Sequence, residues 1–329
     1  MLTLADMAQL STLSPFTQAV LYSMLAHSQL FDRLPFDDTG DLNMMVMEAT
    51  GLPTPSHRPI NPTSINIATA QFGQRSESLK IIADKITVDR QLLNNKSSHI
   101  DPRTAAIEQY TRSLAYQIVN MWINGNPVTN PDQPAGLAFR FLTDLRLSDG
   151  TPTPATQKQV LDANAQNRDL TLAAQRQDLV DDVHELMSLI DGGNPDVLIT
   201  SRQGWLAIGK AVRNERMFRN DRDSFGRMVM TFGEGGPVVI DAGYAPAGAF
   251  TRTSQVLPTG TTENDLVTDA IYAVKFGTMM AGALQKTAPE TIEFAENSAD
   301  FPNVVAAYEH VYGFHVTNPF SVAVLRRAF

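Results

Sequence analysis

The amino-acid sequence predicts an α+β fold with two lobes and long extensions. A chain of 329 residues, 43% of them hydrophobic, exceeds the usual size of one compact domain and can bury a sizeable core. One long helical pattern carries its own start and stop signals, and short strand patterns fill the second half of the chain. A proline-rich segment between two extended runs indicates a loop that projects from the lobes.

The first predicted element is an amphipathic, partly helical arm that covers residues 1 to about 36. Phe16, Val20, Met24 and Leu25 recur at helical spacing, and Pro35 ends the pattern. We expect an arm of this length to have little to bury by itself.

The next element is a long two-stranded loop. Residues 42–50 and alternating stretches within residues 64–89 have the pattern of two extended strands. Between them lies a tip whose prolines cannot donate to a sheet ladder, namely Pro53, Pro55, Pro59 and Pro62. An isolated hairpin is marginally stable in water, so we expect the loop to lean on something outside the chain.

The clearest element is a helix over residues 101–124. Asp101 is a good N-cap, Pro102 suits the first helical position, and Gly125 supplies the stop. At 1.5 Å per residue the helix is about 35 Å long. One apolar stripe runs along it, formed by Ile107, Tyr110, Leu114, Ile118, Met121 and Trp122.

The second half of the chain alternates helix and strand before it becomes mainly strand. Residues 126–178 are polar and permit no assignment. A helix is predicted from about Asp178 to Ile190, then a buried strand at 196–200, then a helix that Ser201 caps. Further strands are predicted at 228–232, 237–241, 270–276, 291–296 and 304–317.

Composition excludes several classes of function. The chain has no cysteine, which removes disulfides and thiolate chemistry, and no apolar run approaches the roughly 18 residues of a membrane span. The start of the chain lacks a secretory signal, so we expect no export and no membrane partner. A net charge of −9 argues against coating nucleic acid, which requires clustered Lys and Arg.

The catalytic motifs that the sequence approaches are all incomplete. Residues 204–211 nearly match a phosphate-binding loop, but Ala211 stands where magnesium needs Ser or Thr. His184 and Glu185 begin a zinc protease motif whose second ligand position is Ser188. His310 and His315 lie five apart in a strand and point to opposite faces. Residues 233–236 are typical of a tight turn. Because every one of these motifs is incomplete, we expect no catalytic residue, metal or cofactor.

A basic cluster follows the helix that begins near Ser201. It contains Arg213, Arg216, Arg219, Arg222 and Arg227. Glu215, Asp221 and Asp223 interrupt it, so the cluster is more typical of an ion-paired surface loop than of a nucleic-acid site.

The order of these elements resembles that of the major capsid proteins of tailed bacteriophages, whose fold is shared with encapsulin shells and the floor of herpesvirus capsids. The stretches that carry the resemblance best are 196–202, 235–241 and 269–277. No charged, coiled-coil-like leader precedes the arm, which implies a separate scaffolding protein or earlier removal of such a leader.

The resemblance implies a division of the chain. Residues 1–38 would form the N-terminal arm and 39–88 the extended β-hairpin loop. Residues 89–192 and 265–316 would form the peripheral domain with its spine helix at 101–124. Residues 193–264 and 317–329 would form the axial domain.

The resemblance also implies contacts with neighbouring subunits. At the loop tip these would be Pro53, Pro55, His57, Arg58 and Pro59. Near the five-fold or six-fold axis they would be Arg213, Glu215, Arg216, Arg219, Asp221, Arg222 and Asp223. The subunits would assemble as hexamers and pentamers in the bacterial cytoplasm, with a scaffolding protein, a portal and a decoration protein as partners.

Such a shell would enclose double-stranded DNA as a virion capsid, without sequence-specific binding. Two alternatives stay open from the sequence. One is an encapsulin-type shell around a cargo enzyme, in which the arm would bind the tail of the enzyme. The other is a soluble enzyme without a recognisable motif.

Overall fold

The structure is a computed structural model of the whole chain. It describes residues 2, 3, 6, 15–51, 53–58, 60, 68, 69, 71–93, 101–143, 159–163, 172–214, 218–222, 228–233, 235–243, 270–286, 289–296, 302–326 and 328. Within these residues no helix is long and apolar enough to cross a lipid bilayer.

The described helices are few and unequal in length. They are α1 Pro15–His27, α2 Arg90–Leu93, α3 Pro102–Asn124, α4 Leu137–Thr143, α5 Ala173–Ser188 and α6 Arg202–Asn214. A 3₁₀ turn at Pro319–Ser321 precedes the last strand.

Strands occur throughout the chain, between and beside the helices. In the first part they are β1 Leu2–Thr3, β2 Pro35–Asp38, β3 Asn43–Gly51, β4 Gln71–Ser78, β5 Lys80–Asp89 and β6 Val160–Asp162. In the second part they are β7 Val197–Thr200, β8 Phe218–Arg222, β9 Met228–Phe232, β10 Val238–Asp241, β11 Ile271–Val274, β12 Ala281–Gln285, β13 Glu290–Glu296, β14 Asn303–Val316 and β15 Val322–Arg326.

The first sheet has six strands arranged around β14. Tyr312 of β14 pairs with Gln285 of β12 on one edge and with Lys80 of β5 on the other. Strand β13 pairs with β14 on the same side as β12. Beyond β12 the sheet continues with β2, which pairs with β12, and then with β1. The first sheet therefore joins the chain's beginning to its last third.

The second sheet has seven strands in the order β6, β15, β11, β7, β10, β9, β8. Alternation of side chains gives it two apolar faces. Val197 and Ile199 of β7 face the core that also contains α1 and α3. Leu198, between them, faces a second core formed with α5 and α6. Both faces of this sheet are therefore covered, which explains its nearly continuous apolar strands.

Helix α3 confirms the predicted spine helix to the residue. The side chain of Asp101 accepts a hydrogen bond from the backbone N–H of Arg103 at 2.8 Å, and Gly125 closes the helix. Leu114, Ile118 and Trp122 are buried in the core that also contains α1, which we call the main core. Ile107 and Tyr110 are partly buried against it. The stripe therefore packs on its whole length.

The expectation that the N-terminal segment has little to bury is wrong. Leu21, Met24 and Leu25 of α1, with Phe31 and Leu34 after it, are fully buried in the core that contains α3. The hydroxyl of Thr17 lies 2.6 Å from that of Thr291 in β13. The buried side chains lie on one side of α1 and Tyr22 on the other side is 42% exposed, so α1 packs on the lobe as an amphipathic helix.

The middle of the chain contains more structure than the sequence predicted. Helix α4 and strand β6 lie within residues 126–178, and α5 begins at Ala173 rather than near Asp178. The early start escaped prediction because Leu172, at the N-cap, makes no side-chain cap hydrogen bond. Residues 144–158, including the Thr-Pro-rich part, lie outside the described residues.

Strand β11 and helix α5 differ from the domain boundaries that we expected. The resemblance placed both in the peripheral domain. In the structure β11 is a central strand of the seven-stranded sheet, and α5 packs on that sheet's second core. The division of the chain into peripheral and axial domains stays a prediction.

Candidate assembly surfaces

The extended loop is a two-stranded antiparallel hairpin of β3 and β4. Its ladder runs from the pair of Asn43 with Ser78 at the base to the pair of Gly51 with Gln71. Beyond it, Pro53 to Arg58 have no regular structure and are exposed, and Ile60 is 93% exposed. Pro59 and Pro62 lie outside the described residues. The predicted two-stranded hairpin and its unpaired tip are confirmed in the described residues, but the hairpin is shorter than expected, because residues 80–88 lie in β5 of the first sheet.

One face of the hairpin presents methionines to solvent. Met45 is 63% exposed and Met47 is 48% exposed. They stand two residues apart and so point to the same side of the strand. Their cross-strand neighbours are Ser76 and Gln74, both exposed. This outer face therefore offers unbranched, adaptable apolar side chains with a polar border.

Apolar contacts hold the base of the hairpin on the first sheet. Leu79, Leu284 and Val311 form a small buried cluster, and Met44 packs against it. The backbone N–H of Leu79 donates to Leu42 O at 2.8 Å, which closes the base. A Cβ at Gly313 would lie 3.4 Å from Leu79 Cγ, an ordinary contact distance, so β14 passes close to the base of the hairpin.

A buried ion pair supplies the second anchor. Arg140 of α4 is 1% exposed, and Glu77 of β4 is 7% exposed. The guanidinium donates to both carboxylate oxygens of Glu77, Nη1 to Oε1 at 2.6 Å and Nη2 to Oε2 at 2.9 Å. The geometry is the bidentate one in which arginine binds a carboxylate most strongly.

The same guanidinium also bonds two backbone carbonyls. Nη2 donates to Phe314 O in β14 at 2.8 Å, and Nε donates to Ala135 O at 3.2 Å. Burying two charges costs several kcal/mol per ion, which such bonds must offset. Arg140 thus joins the hairpin, the central strand and α4 at one point.

Two glycines bring α4 to this point. A Cβ on Gly125 would lie 2.3 Å from Pro134 O, and one on Gly136 would lie 2.6 Å from the backbone nitrogen of Gly125. The N–H of Gly136 donates to Gly125 O at 2.9 Å. The end of the spine helix and the start of α4 therefore touch through backbone, which only glycine permits.

Sequence reasoning missed this anchor. Arg140 and Glu77 are separated by 63 residues, so no local pattern pairs them. The one available signal was an arginine inside the otherwise apolar run at residues 137–142. A charge in such a run requires a partner, but the sequence does not name it.

The basic cluster is only partly described. Arg213 is exposed at the last turn of α6, and Arg219, Asp221 and Arg222 lie in β8, which pairs with β9. The expectation of a loop throughout residues 213–227 is therefore wrong for this strand. Glu215, Arg216, Asp223 and Arg227 lie outside the described residues. Their contacts with neighbouring subunits stay a prediction.

The incomplete motifs have structural roles. Residues 204–211 belong to α6, and Ile208 and Ala211 pack in the second core. His184 lies on α5, with Nδ1 2.9 Å from Val180 O and its ring against Phe232. No group of metal-binding side chains occurs among the residues that the structure describes.

The first sheet buries a row of titratable rings. Tyr308, His310 and Tyr312 are at most 3% exposed, and Phe36 of β2 lies against His310. Burial lowers the pKa of His310 to about 3, because the charged imidazolium loses its hydration. His310 Nε2 lies 3.4 Å from Gln285 Oε1, and Gln285 donates to Asp38 at 2.6 Å. This row is neutral packing between strands.

His315 faces the opposite side of β14 from His310, as the spacing predicted. Its Nδ1 lies 3.1 Å from the Thr317 hydroxyl, and its Nε2 lies 3.9 Å from Asp37 Oδ2. Desolvation raises the pKa of Asp37, which opposes a charged pair here.

Comparison with known structures places the fold. No family model matches the sequence, and no curated protein matches it. Among solved structures, the chain is similar to the encapsulin of the holo-SrpI complex from Synechococcus elongatus, with 13% identity and a TM-score of 0.56 over 97% of this chain and 89% of that one. It is similar to the capsid of a native GTA particle, with 14% identity and a TM-score of 0.56 over 96% and 92%.

A third solved structure, described as Mycobacterium phage Adephagia, matches with 14% identity and a TM-score of 0.51 over 92% of this chain and 89% of that one. The matches extend over nearly the full length of both partners. The fold of this chain is therefore the shared fold of tailed-phage major capsid proteins and encapsulin shells, as the element order predicted.

Proposed function

We propose that this chain is the subunit of a closed protein shell and that many copies of it self-assemble. The observation that carries the proposal is the hairpin, anchored at its base and exposed along Met45, Met47 and the tip. The outer face of the hairpin gains little from its own lobe, because Met45 and Met47 stay exposed. Contacts with a neighbouring copy would bury its outer face and offset the cost of ordering it.

Within this class we propose a phage head, in which hexamers and pentamers form an icosahedral capsid around double-stranded DNA. The net charge of −9 is compatible with a container that surrounds DNA without coating it. Pro53, Pro55, His57, Arg58 and Pro59 would then contact the neighbouring subunit. A scaffolding protein, a portal and a decoration protein would be the other partners.

The alternative within the same fold is an encapsulin-type shell around a cargo enzyme. The similarity to the Synechococcus elongatus encapsulin favours it as a second candidate. In the described residues one side of α1 packs in the main core, while Tyr22 on its other side is 42% exposed. The helix therefore keeps an exposed side, and its burial does not separate the two candidates.

The test is the size and content of the particles. Purified protein of 36.1 kDa should sediment as megadalton particles, and electron microscopy should show closed shells. Packaged genomic DNA and a portal vertex would support the phage head, whereas a packaged enzyme would support the alternative. A small soluble oligomer under all conditions would refute a shell.

A further inference from the structure

We propose that Arg140 and Glu77 form a latch that fixes the direction of the extended hairpin before assembly. The inference rests on the proposed function, because a fixed direction matters only if the hairpin must meet a neighbouring copy. Arg140 would be a positioning residue, which acts on the contact through the hairpin and does not touch the neighbour itself.

The pair lies near the base of the hairpin ladder, where it can set the direction of the strands beyond it. Glu77 pairs with Met44 next to the base, and every later pair of the hairpin lies farther from the lobe. Apolar contacts hold the base: Leu79, Leu284 and Val311 form a cluster, and Val46 farther along β3 is 4% exposed. Such contacts fix the hairpin's direction only loosely, since dispersion contacts have no direction. The bidentate pair adds a contact with fixed geometry.

The hairpin is long enough that a small rotation at its base moves its far end by a large distance. From Met44, the partner of Glu77 in the ladder, to the end of β3 at Gly51 the strand extends about 23 Å at roughly 3.3 Å per residue. A rotation of about 10° at the base would displace the far end by about 4 Å, which is a full contact distance between side chains. The outer face could then miss the surface on which it should dock.

The guanidinium of Arg140 is buried and held by several hydrogen bonds, which gives the pair a fixed geometry. All three nitrogens of Arg140 donate, to Glu77, to Phe314 O and to Ala135 O. Because α4 touches the end of the spine helix through Gly125 and Gly136, the guanidinium connects the hairpin to the spine helix. A lysine could supply the charge but only a single point contact.

The direction of the hairpin can be measured directly, because the chain has no cysteine. Spin labels at Gln74→Cys and Ser113→Cys would lie on exposed positions of β4 and α3. The distance distribution between them, measured in unassembled subunits, reports the angle of the hairpin. In the otherwise natural chain we expect one narrow distribution.

The decisive variant removes both charges as Arg140→Met with Glu77→Met. Replacing a buried pair by apolar side chains of similar length is close to neutral for folding, so the melting temperature should change by only a few degrees. The distance distribution should broaden at least about twofold, and Arg140→Lys should give an intermediate width. Shells of the double variant should be fewer and of mixed diameter.

Arg202→Gln with Asp241→Asn is the matched control. It removes a partly exposed ion pair of 3.4 Å and should leave both the distribution and the shells unchanged. A distribution as narrow in the double methionine variant as in the control would overturn the latch, as would shells of unchanged yield and diameter. If no chain of either kind forms shells, the proposed function fails, while the distance measurement still decides the latch.

Discussion

At the residue scale, the fold depends on a few large side chains that close the main core. Trp122 is 2% exposed, and its ring centroid lies 6.1 Å from that of Phe276 and 6.2 Å from that of Phe314. The spine helix thereby meets both the central strand of the first sheet and the segment after β11. Sequence periodicity predicted that Trp122 faces the core, but not which rings receive it.

Trp122→Ala should lower the free energy of unfolding by about 3 to 5 kcal/mol, because it deletes a buried ring and leaves a cavity. Urea unfolding of the unassembled subunit measures this loss. Trp205→Ala is the control, since Trp205 is only partly buried against the second core and should cost less. A fully stable, assembling Trp122→Ala variant would contradict the role of the stripe.

His310 gives the lobe a specific pH dependence. Its pKa is about 3 in the folded chain and about 6.5 when unfolded, so the unfolded state binds the proton first as the pH falls. The stability contribution is fully present above pH 6.5 and is lost progressively towards pH 3. The slope is about 1.4 kcal/mol for each pH unit.

His310→Gln should remove this part of the pH dependence. Urea midpoints measured between about pH 4.5 and 7.5 would therefore fall less steeply for the variant than for the natural chain. His57→Gln, at an exposed position of the tip, is the control. Parallel curves for His310→Gln and the natural chain would show that the imidazole is not buried in the folded subunit.

At the element scale, prediction succeeded where a local signal exists. The spine helix was bounded correctly because Asp101, Pro102 and Gly125 carry its caps in their own side chains and backbone. The amphipathic pattern of α1 was predicted correctly, since Thr17, Val20 and Leu21 lie on its buried side, but the extent of its burial was misjudged. What the helix packs against is decided by α3 and the first sheet, which no window of its own sequence contains.

The hairpin tip is predicted to be a protease site whose accessibility depends on assembly. Residues 53–58 are exposed and have no regular structure, and such segments are the usual sites of nicking. Because trypsin does not cleave the natural Arg58–Pro59 bond, the test uses Pro59→Ala, in which trypsin should cut after Arg58 in free subunits and not in shells, with the natural chain as the uncut control. Arg58→Gln should abolish this cleavage. Resistance at Arg58 in the free Pro59→Ala subunit would mean that the tip packs on its own lobe.

Deleting residues 54–61 should separate folding from assembly. The anchors at Glu77 and Leu79 lie outside the deletion, so the lobes should keep their circular dichroism and melting temperature. Shells should fail to form or should break easily, because the contact that the tip supplies is missing. Normal shells from the deleted chain would remove the tip from the assembly contact.

At the scale of the whole molecule, the two sheets share one core, which contains β7, β10 and β11 of one and β12 and β14 of the other. A common core lets the subunit act as one body while the hairpin extends from it. The order of elements predicted this fold from sequence. The membership of β11 and α5 could not be predicted, because it depends on pairing between strands about 70 residues apart.

The charges near β8 should affect how capsomers respond to salt. In a ring of five or six copies, symmetry would bring the arginines of this region together, and Glu215, Asp221 and Asp223 would offset their repulsion. Replacing the three acids by Gln, Asn and Asn should weaken capsomers at low salt more than at high salt, because ions screen like charges. Sedimentation at about 0.02 M and 0.5 M salt measures the difference. A control with Glu108, Glu185 and Glu309 replaced by Gln loses the same three charges at exposed positions elsewhere. Equal salt dependence in the two variants would show that net charge alone matters and that the arginines do not meet at an axis.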